Sequence, residues 1–199
     1  MNLNNFLNKN NFLFAKRNHN LYSVYKIICR QIPGSIFSKL GYIFFKNLIR
    51  KKIIKCYYLC KQNQCVSIIT IVERKNFNNI SKEILFFLFF NPKILIFNIF
   101  YFINNFFKKR IKSNFNHNNL HLLHLVIFKK YFYKTKLIIK DNFFNSIFIR
   151  ILKENNANSF FLCFEKNNFA AQRFYLRNKF RIYNKKDNII YAKKKFYEK

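Results

Sequence analysis

A short apolar run, S-F-F-L-C-F-E, starts at residue 159 near the C-terminus. Phe160, Leu162 and Phe164 take one side of this run, and Phe161 and Cys163 take the other. A run that is apolar on both sides is typical of a strand covered on both faces of a sheet. The pattern therefore predicts a buried β-strand.

A helix and a further strand are predicted directly after this run. Asn167 and Asn168 are good N-cap residues, because a short side-chain carbonyl accepts hydrogen bonds from the free N–H groups of the first helical turn. The residues that follow recur three or four positions apart, as on one face of a helix. That face carries Ala171, Phe174, Tyr175 and Asn178. Alternation with a period of two restarts at Phe180, which indicates another strand.

Two helices are predicted in the N-terminal part. Apolar residues at helical spacing run from Leu21 to Gln31. Pro33 and Gly34 break the chain, and Ser35 can cap a second helix that runs from residue 36 to about Arg50. The predicted buried side of this second helix is formed by Ile36, Leu40, Ile43, Phe44 and Leu48.

Three strands and a helix complete the predicted core. The apolar runs Ile53–Leu59 and Cys65–Val72 flank a short polar segment, as in a β-hairpin. The run His121–Phe128 is a strand, and a helix from about Leu137 to Glu154 follows it after a loop.

Regular alternation in the strand His121–Phe128 divides its side chains into two groups. One face carries Leu123, Leu125 and Ile127, and the other carries Leu122, His124 and Val126. His121 and His124 are accordingly expected on opposite faces.

The stretch from residue 80 to 107 contains two apolar runs, Ile84–Phe90 and Ile94–Ile103. Together they approach the roughly 20 residues that span a bilayer. The sequence Asn91–Lys93 interrupts them, and a central lysine costs about 2.5–3.5 kcal/mol on membrane-insertion scales. The proline in this interruption also favours a helix boundary. We predict two amphipathic helices, and membrane association through residues 84–107 is a less favoured alternative.

The chain is strongly basic. It has 199 residues, enough for one domain with a sizeable core, and its 38 Lys and Arg against 7 Asp and Glu give a formal net charge of +31. Such a balance points to nucleic acid, an anionic membrane or another polyanion as partner. The excess of Phe, Asn, Lys and Ile, with only 2 Gly and 2 Pro, also indicates a genome rich in A and T. That bias enriches lysine without any partner, but it explains the scarcity of acidic residues less well, so both explanations stay open.

The cysteines and the N-terminal residues indicate the compartment. The 5 cysteines are odd in number and irregularly spaced, which argues against a disulfide framework and favours a reducing environment. Cys56, Cys60 and Cys65 lack a C-x-x-C pair and a nearby histidine, so we predict no metal site. Residues 1–20 form a polar, Asn-rich leader without the apolar core of a secretory signal. A cytoplasmic protein is therefore predicted.

The segment around residues 159–183 resembles the GNAT superfamily of acyl-CoA-dependent N-acetyltransferases. The family pattern is an apolar strand, then N-x-x-A-x-x-(F/L)-Y, and a few residues later G-F. The residues that fit this pattern at the right spacing are Asn168, Ala171, Phe174, Tyr175 and Phe180. Lys179 stands where the family usually has glycine.

A second segment, Pro33–Phe45, is similar to the first helical region of a subset of this superfamily, through P-x-S-x-x-S-x-L-G. The resemblance implies an α/β fold with a GNAT-like central mixed β-sheet of roughly six strands flanked by helices. It also implies a helical insertion at residues 80–107, before the CoA-binding strand, and a single domain over residues 21–199. In the family the second hairpin strand often has a glycine that admits substrate, and Ser67 takes that place here.

The activity that the resemblance implies is acetyl transfer from acetyl-CoA to a primary amine, without a metal. In the family the helix tyrosine protonates the leaving CoA thiolate. This role falls on Tyr175, since a phenol has an ordinary pKa of about 10. Asn168 matches the asparagine that contacts the pantetheine arm of CoA. The other positions implied in cofactor binding within ordered elements are Val126, Ile127 and Ala171.

The pyrophosphate loop departs from the family. GNAT proteins use (Q/R)-x-x-G-x-(G/A) at a helix N-terminus, where free N–H groups and the helix dipole face the phosphates. Here the loop region is Tyr133–Leu137 and contains no glycine. Either Lys134, Thr135 and Lys136 bind the phosphates by charge and a hydroxyl, or the loop has lost CoA. We favour retained binding, because lysines beside phosphates are electrostatically favourable.

Several functional alternatives stay open. The general base is His121, His124, Glu73 or water. The acceptor implied by the subset and the basic surface is an anionic small molecule such as a nucleotide-linked amino sugar, with a protein amine as the alternative. A different class is a degenerate GNAT scaffold or a basic RNA- or ribosome-associated protein, although the chain has no RNA-binding module signature. Nucleic acid is therefore a less favoured partner, and the sequence predicts no oligomeric state.

Overall fold

The computed structural model describes residues 12–15, 21–33, 35–61, 64–94, 119–128 and 143–195. The described strands are β1 (Phe12–Ala15), β2 (Ile54–Lys61), β3 (Gln64–Glu73), β4 (Asn119–Ile127), β5 (Ser159–Glu165), β6 (Arg181–Lys186) and β7 (Ile189–Lys195). The described helices are α1 (Leu21–Gln31), α2 (Ile36–Arg50), α3 (Phe77–Phe89), α4 (Phe143–Glu154) and α5 (Phe169–Arg177), with a 3-10 turn at Arg74–Asn76.

The strands form one mixed sheet in the order β1-β2-β3-β4-β5-β7-β6. β4 and β5 are parallel, whereas β1/β2, β3/β4, β5/β7 and β6/β7 are antiparallel. β2 and β3 are neighbours separated by two residues, which is the spacing of a β-hairpin, as predicted. The predicted mixed α/β sheet is thus confirmed, with seven strands rather than roughly six. Two of the seven were not predicted as individual strands: β7, and β1, which is a short edge strand within the segment predicted as a leader.

One hydrophobic core holds this sheet to α4 and α5. Phe148 of α4 is completely buried, and its ring centroid lies 5.3 Å from that of Phe160 in β5 and 5.8 Å from that of Phe180. Other buried members of the core are Tyr57, Ile71, Leu120, Leu122, Phe144, Ile147, Ile151, Leu162, Ile190 and Ala192. The predicted helix ending at Glu154 is confirmed over α4, and its predicted first turns lie outside the described residues.

The chain divides into two compact units. The first comprises Met1–Arg17, Cys56–Arg74 and Asn118–Lys199, and it contains the core just described. The second comprises Asn18–Lys55 and Lys75–His117, and it contains α1, α2 and α3. That residues 21–199 form a single domain stays a prediction.

The predicted capping of α2 is confirmed, because the Ser35 Oγ accepts a hydrogen bond from the Ser38 N–H at 3.3 Å. Of its predicted inner side, Leu40, Phe44 and Leu48 are buried. Ile43 is instead 66% exposed. Gly41 has φ 86° inside the helix, so the residues before and after it do not share one continuous face.

The helix boundary predicted at the Asn-Pro pair is confirmed. α3 ends at Phe89, and Asn91 is not helical. The second predicted helix, residues 94–103, lies outside the described residues except for Ile94. Within the described part of the chain, every helix is too short or too polar to cross a membrane.

Candidate active site

β4 and β5 run side by side only at their beginnings. The register pairs residues 119–121 of β4 with residues 159–161 of β5. Beyond the last pair, β4 continues for six residues and β5 for four. The two parallel strands therefore separate and open a gap within the sheet.

A β-bulge explains why β4 leaves its neighbour. Thr70 of β3 pairs with His124 of β4, but the next residue, Ile71, pairs with Leu122. Leu123 is therefore an extra residue in β4. A bulge bends the strand that carries it and increases its twist. This bulge lies two residues after the last pair between β4 and β5, where the gap begins.

The bulge also changes which residues of β4 face the core. Leu120 and Leu122 belong to the core before the bulge, and Leu125 and Ile127 pack against the same core after it. The grouping predicted from regular alternation, with Leu122 opposite Leu125 and Ile127, is therefore wrong. One extra residue shifts a period of two by one position, which exchanges the faces.

His121 and His124 lie on the same face of β4, contrary to the prediction, because the bulge lies between them. His124 is buried, and its Nδ1 lies 2.8 Å from the Thr70 Oγ1. Burial, and then the neighbouring His121, lowers the pKa of His124 to about 4. A group with so low a pKa is a weak base at neutral pH, so His124 fits a structural role better than that of general base.

Peptide groups of β4 face the gap. The Phe128 N–H donates to the Val66 carbonyl at 3.1 Å, so these two residues form a hydrogen-bonded pair across β3 and β4. Such pairs alternate in an antiparallel ladder, so Val126 also bonds to β3. The peptide groups of Leu125 and Ile127 consequently point away from β3, toward the gap. An extended ligand with amide groups can bind such an edge as an added strand does.

A peptide group of β5 also borders the gap, on the side opposite β4. The Lys166 N–H donates to the Asn188 carbonyl at 2.9 Å, so the peptide groups of even-numbered residues in β5 bond to β7. The peptide group of Cys163 therefore points toward β4. β5 is buried on both faces from Ser159 to Leu162, and beyond Leu162 only one of its faces is buried. The Cys163 side chain lies on the other face and is exposed. Cys163 and Leu125 were not predicted as gap residues, because the bulge that opens the gap has no signature in the sequence.

The N-terminus of α5 is capped as predicted. The Asn168 Oδ1 accepts a hydrogen bond from the Ala171 N–H at 3.0 Å. Ala171, Phe174 and Tyr175 are partly buried against the core, which confirms the predicted helix face. The capping role of Asn168 is thus established, and its contact with the pantetheine arm stays a prediction.

The C-terminus of α5 ends in a Schellman motif. The Phe180 N–H donates to the Tyr175 carbonyl, and the Lys179 N–H donates to the Leu176 carbonyl, both at 2.9 Å. Lys179 has φ 62°, in the left-handed region that favours glycine. This is the position where the resembling family has glycine. Lys179 thus adopts a conformation that suits the glycine of the family pattern.

We expect Lys179→Gly to stabilise the protein by about 0.5–1 kcal/mol. Glycine removes a left-handed backbone strain of about 1–2 kcal/mol. Part of this gain is offset because glycine makes the unfolded chain more flexible. Urea unfolding measures the change in the free energy of unfolding. The matched control is Lys185→Gly in β6, where the same substitution in a strand is expected to destabilise. A loss of stability in Lys179→Gly itself would contradict this account of the motif.

Tyr175 lies among aromatic rings at the end of α5. Its ring centroid is 5.6 Å from that of Phe164, nearly stacked, and 5.3 Å from those of Phe174 and Phe180. Burial, and then the neighbouring Cys163 thiol, raises the pKa of Tyr175 above its ordinary value. The phenol therefore stays protonated at neutral pH, which is the state that a general acid requires.

Three of the predicted site residues lie at the hydrophobic core of the first unit. Ile127, Ala171 and Tyr175 are each partly buried against it. Val126 is buried, and by alternation its side chain points to the opposite face from that of Ile127. The Val126 carbonyl accepts a hydrogen bond from the buried Ser67 Oγ at 3.0 Å. Ser67, at the place of the family glycine, thus supports the gap-lining strand β4.

The predicted phosphate-binding residues Lys134, Thr135 and Lys136 lie outside the described residues. Their role stays a prediction, as do the binding roles of Val126, Ile127 and Ala171. Across the described ranges, no group of three or more His, Cys, Asp and Glu side chains is placed to hold a metal ion.

Comparisons with known proteins give structural matches only. No protein-family model and no curated protein sequence matches this chain. The chain is similar to the N-acetyltransferase PseH from Campylobacter jejuni in complex with acetyl coenzyme A, at 14% identity and TM-score 0.51. This match covers 92% of the present chain and 99% of the other.

Two further structures match over the same extent. Ard1 from Thermoplasma volcanium has 12% identity and TM-score 0.57, with 94% of this chain and 99% of that chain covered. A GNAT family acetyltransferase from Elizabethkingia anophelis, with acetyl-CoA bound, has 9% identity and TM-score 0.53, with the same coverage. At such low identities the likeness shows the fold, and any activity has to be argued from the residues of this chain.

Proposed function

Because the chain has the fold of the GNAT N-acetyltransferases, we propose that it transfers an acetyl group from acetyl-CoA to a primary amine. The observation that supports this best is the gap between β4 and β5. Peptide groups of Leu125, Ile127 and Cys163 border this gap. The pantetheine arm of CoA is an extended chain with amide groups, which is the kind of ligand that the edge of a strand can pair with.

Tyr175 provides the acid that the reaction needs. The amine nitrogen attacks the thioester carbonyl carbon, the carbon–sulfur bond breaks, and the electron pair leaves with sulfur. The phenol of Tyr175 gives its proton to the thiolate, and the proton of the amine passes to water or to a base. The phenol of Tyr175 is protonated at the start of the reaction, as this role requires.

Lys134, Thr135 and Lys136 bind the pyrophosphate in this proposal. In the sequence they fall between β4 and α4, where the GNAT fold has its phosphate-binding backbone. The two ammonium groups and the hydroxyl replace the glycine-rich cradle with charge-assisted hydrogen bonds. Asn168, Ala171, Val126 and Ile127 complete the cofactor contacts.

The acceptor in this proposal is an anionic small molecule that carries a primary amine, such as a nucleotide-linked amino sugar. The formal net charge of +31 supports an anionic acceptor, since a basic surface attracts anionic ligands and speeds their association. A protein amine is the second candidate, and an acetylation assay with both acceptor classes separates them.

The first experiment is calorimetric titration of the purified protein with acetyl-CoA. We expect binding that weakens about a hundredfold in the variant Lys134→Ala/Lys136→Ala, because two charge-assisted hydrogen bonds to phosphate are lost. The matched control is Lys185→Ala/Lys186→Ala, which removes the same charge from exposed residues of β6. Equal losses in both variants would indicate a general charge effect and contradict the assigned phosphate loop.

A non-catalytic function is the alternative that the charge supports. A folded wild type without affinity for acetyl-CoA would indicate a GNAT scaffold that has lost its cofactor. RNA binding that weakens steeply with salt would then favour a nucleic-acid partner. Acetyl-CoA binding without turnover of any amine would separate a cofactor-binding scaffold from an enzyme.

A further inference from the structure

Helix α3 has two apolar faces, and only one of them is buried. Ile84 and Leu88 are buried, and the ring of Phe87 lies 5.3 Å from that of Phe44 in α2. The second face, which we call the α3 aromatic face, is exposed to solvent. Its members are Leu85, Phe86, Phe89 and Phe90, which are 54%, 60%, 80% and 63% exposed.

The residues of the α3 aromatic face contact one another. The ring centroids of Phe86 and Phe90 are 4.7 Å apart, and those of Phe89 and Phe90 are 5.3 Å apart. Single exposed apolar residues are common, but a contiguous exposed cluster is typical of a surface that binds a protein, a membrane or a ligand. The C-terminal half of α3, residues 84–89, is apolar all round, and a helix surface of that kind is expected in a protein core or in contact with lipid.

The charges next to this face are positive. Lys82 lies one helical turn before it on the same side, and Lys93 lies just after it; both are exposed. Glu83, the acidic residue of α3, is paired with Lys51, whose Nζ lies 2.8 Å from both Glu83 carboxylate oxygens. Glu83 is also the sole acidic residue in the sequence of the second compact unit, against fifteen Lys and Arg.

We propose that the α3 aromatic face binds the surface of an anionic lipid bilayer. The helix lies in the plane of the interface, with Leu85 and the three phenylalanines inserted at the boundary between head groups and acyl chains. Lys82 and Lys93 contact lipid phosphates at its two ends. Aromatic and leucine side chains beside lysines, on an interfacial helix, are the arrangement that binds anionic membranes. A basic protein partner is disfavoured by the same charges, and this membrane binding is independent of acetyl transfer.

A tryptophan reporter tests insertion directly. The chain has no tryptophan, so Phe89→Trp introduces a single fluorophore at the most exposed position of the face. We expect its emission to shift to the blue, and its quenching by acrylamide to fall, when vesicles of phosphatidylcholine with phosphatidylglycerol are added. The matched control is Phe169→Trp, at another exposed phenylalanine, in α5 with Arg173 and Arg177. Its emission is expected to stay unchanged.

Vesicle co-sedimentation of the full chain tests the energetic role of the face. Phe86→Ser/Phe89→Ser/Phe90→Ser is expected to lose about tenfold or more in affinity for the anionic vesicles, whereas Phe169→Ser keeps it. Circular dichroism establishes that each variant is folded. Binding is expected to fall when phosphatidylglycerol is left out or when salt is added, because the lysines contribute by charge.

Three results would overturn the proposal. The first is an equal shift of the reporters at residues 89 and 169, which indicates that charge alone holds the protein at the vesicle. The second is undiminished binding by the triple serine variant. The third is a blue shift of the residue 89 reporter with rising protein concentration and no lipid, which indicates that a second copy covers the face.

Discussion

Tyr175→Phe is expected to lower kcat for acetyl transfer by about 10²–10⁴, which is the usual contribution of a general acid. The substitution removes one hydroxyl and keeps the ring, so the contacts with Phe164, Phe174 and Phe180 at 5.3–5.6 Å are retained. The dissociation constant for acetyl-CoA is therefore expected to stay within a fewfold of the wild type. Steady-state kinetics and calorimetry on the same preparations separate the two quantities.

The pH profile gives an independent readout of this role. Burial and the Cys163 thiol raise the pKa of Tyr175, so the acid form persists at neutral and mildly alkaline pH. Below a pH of about 10, Tyr175 is accordingly expected to keep its proton, and the wild-type rate is not expected to fall for this reason. A Tyr175→Phe enzyme with undiminished kcat, and intact cofactor binding, would show that another group protonates the thiolate.

Phe148→Ala is expected to reduce the free energy of unfolding by about 3–5 kcal/mol, as large-to-small substitutions of buried aromatic residues do. Phe148 is completely buried in α4, with ring contacts to Phe144, Phe160 and Phe180. Its removal leaves a cavity between a helix and the sheet that the rigid strand cannot fill. Urea unfolding followed by circular dichroism measures the loss.

The matched control for this substitution is Phe169→Ala, at a phenylalanine that is 64% exposed. Its effect is expected within about 0.5 kcal/mol, because it lies outside the core. Equal losses at the two positions would contradict the burial that the structure assigns to α4.

The sequence predicted those parts of the fold that depend on local chemistry. Asn168 and Ser35 cap their helices because a short side-chain oxygen can accept a hydrogen bond from a free N–H group of the first helical turn. The hairpin of β2 and β3, and the strand β5, follow from apolar runs of the right length. The family pattern around Tyr175 then placed the candidate acid in a helix that packs on the sheet.

Features that depend on the neighbouring strand could not be predicted. Leu123 is one of several leucines in β4, and its status as an extra residue exists only in the register with β3. β1 has only four residues, in an Asn-rich segment, and it is a strand because it pairs with β2. Its own sequence is too short to predict a strand. The left-handed φ of Lys179 is imposed by the Schellman motif on a residue that rarely adopts it.

The bulge at Leu123 means that the gap between β4 and β5 is encoded by the length of β4 rather than by the identity of its residues. A chain whose composition has drifted can exchange glycines for lysines and still keep β4 apart from β5, because substitutions leave the number of residues unchanged. A deletion of Leu123 is a different event, since it removes the bulge and restores regular pairing with β3 while Leu122 and Leu125 still face the core. Among divergent relatives of this protein, β4 is therefore expected to vary freely in sequence and very little in length.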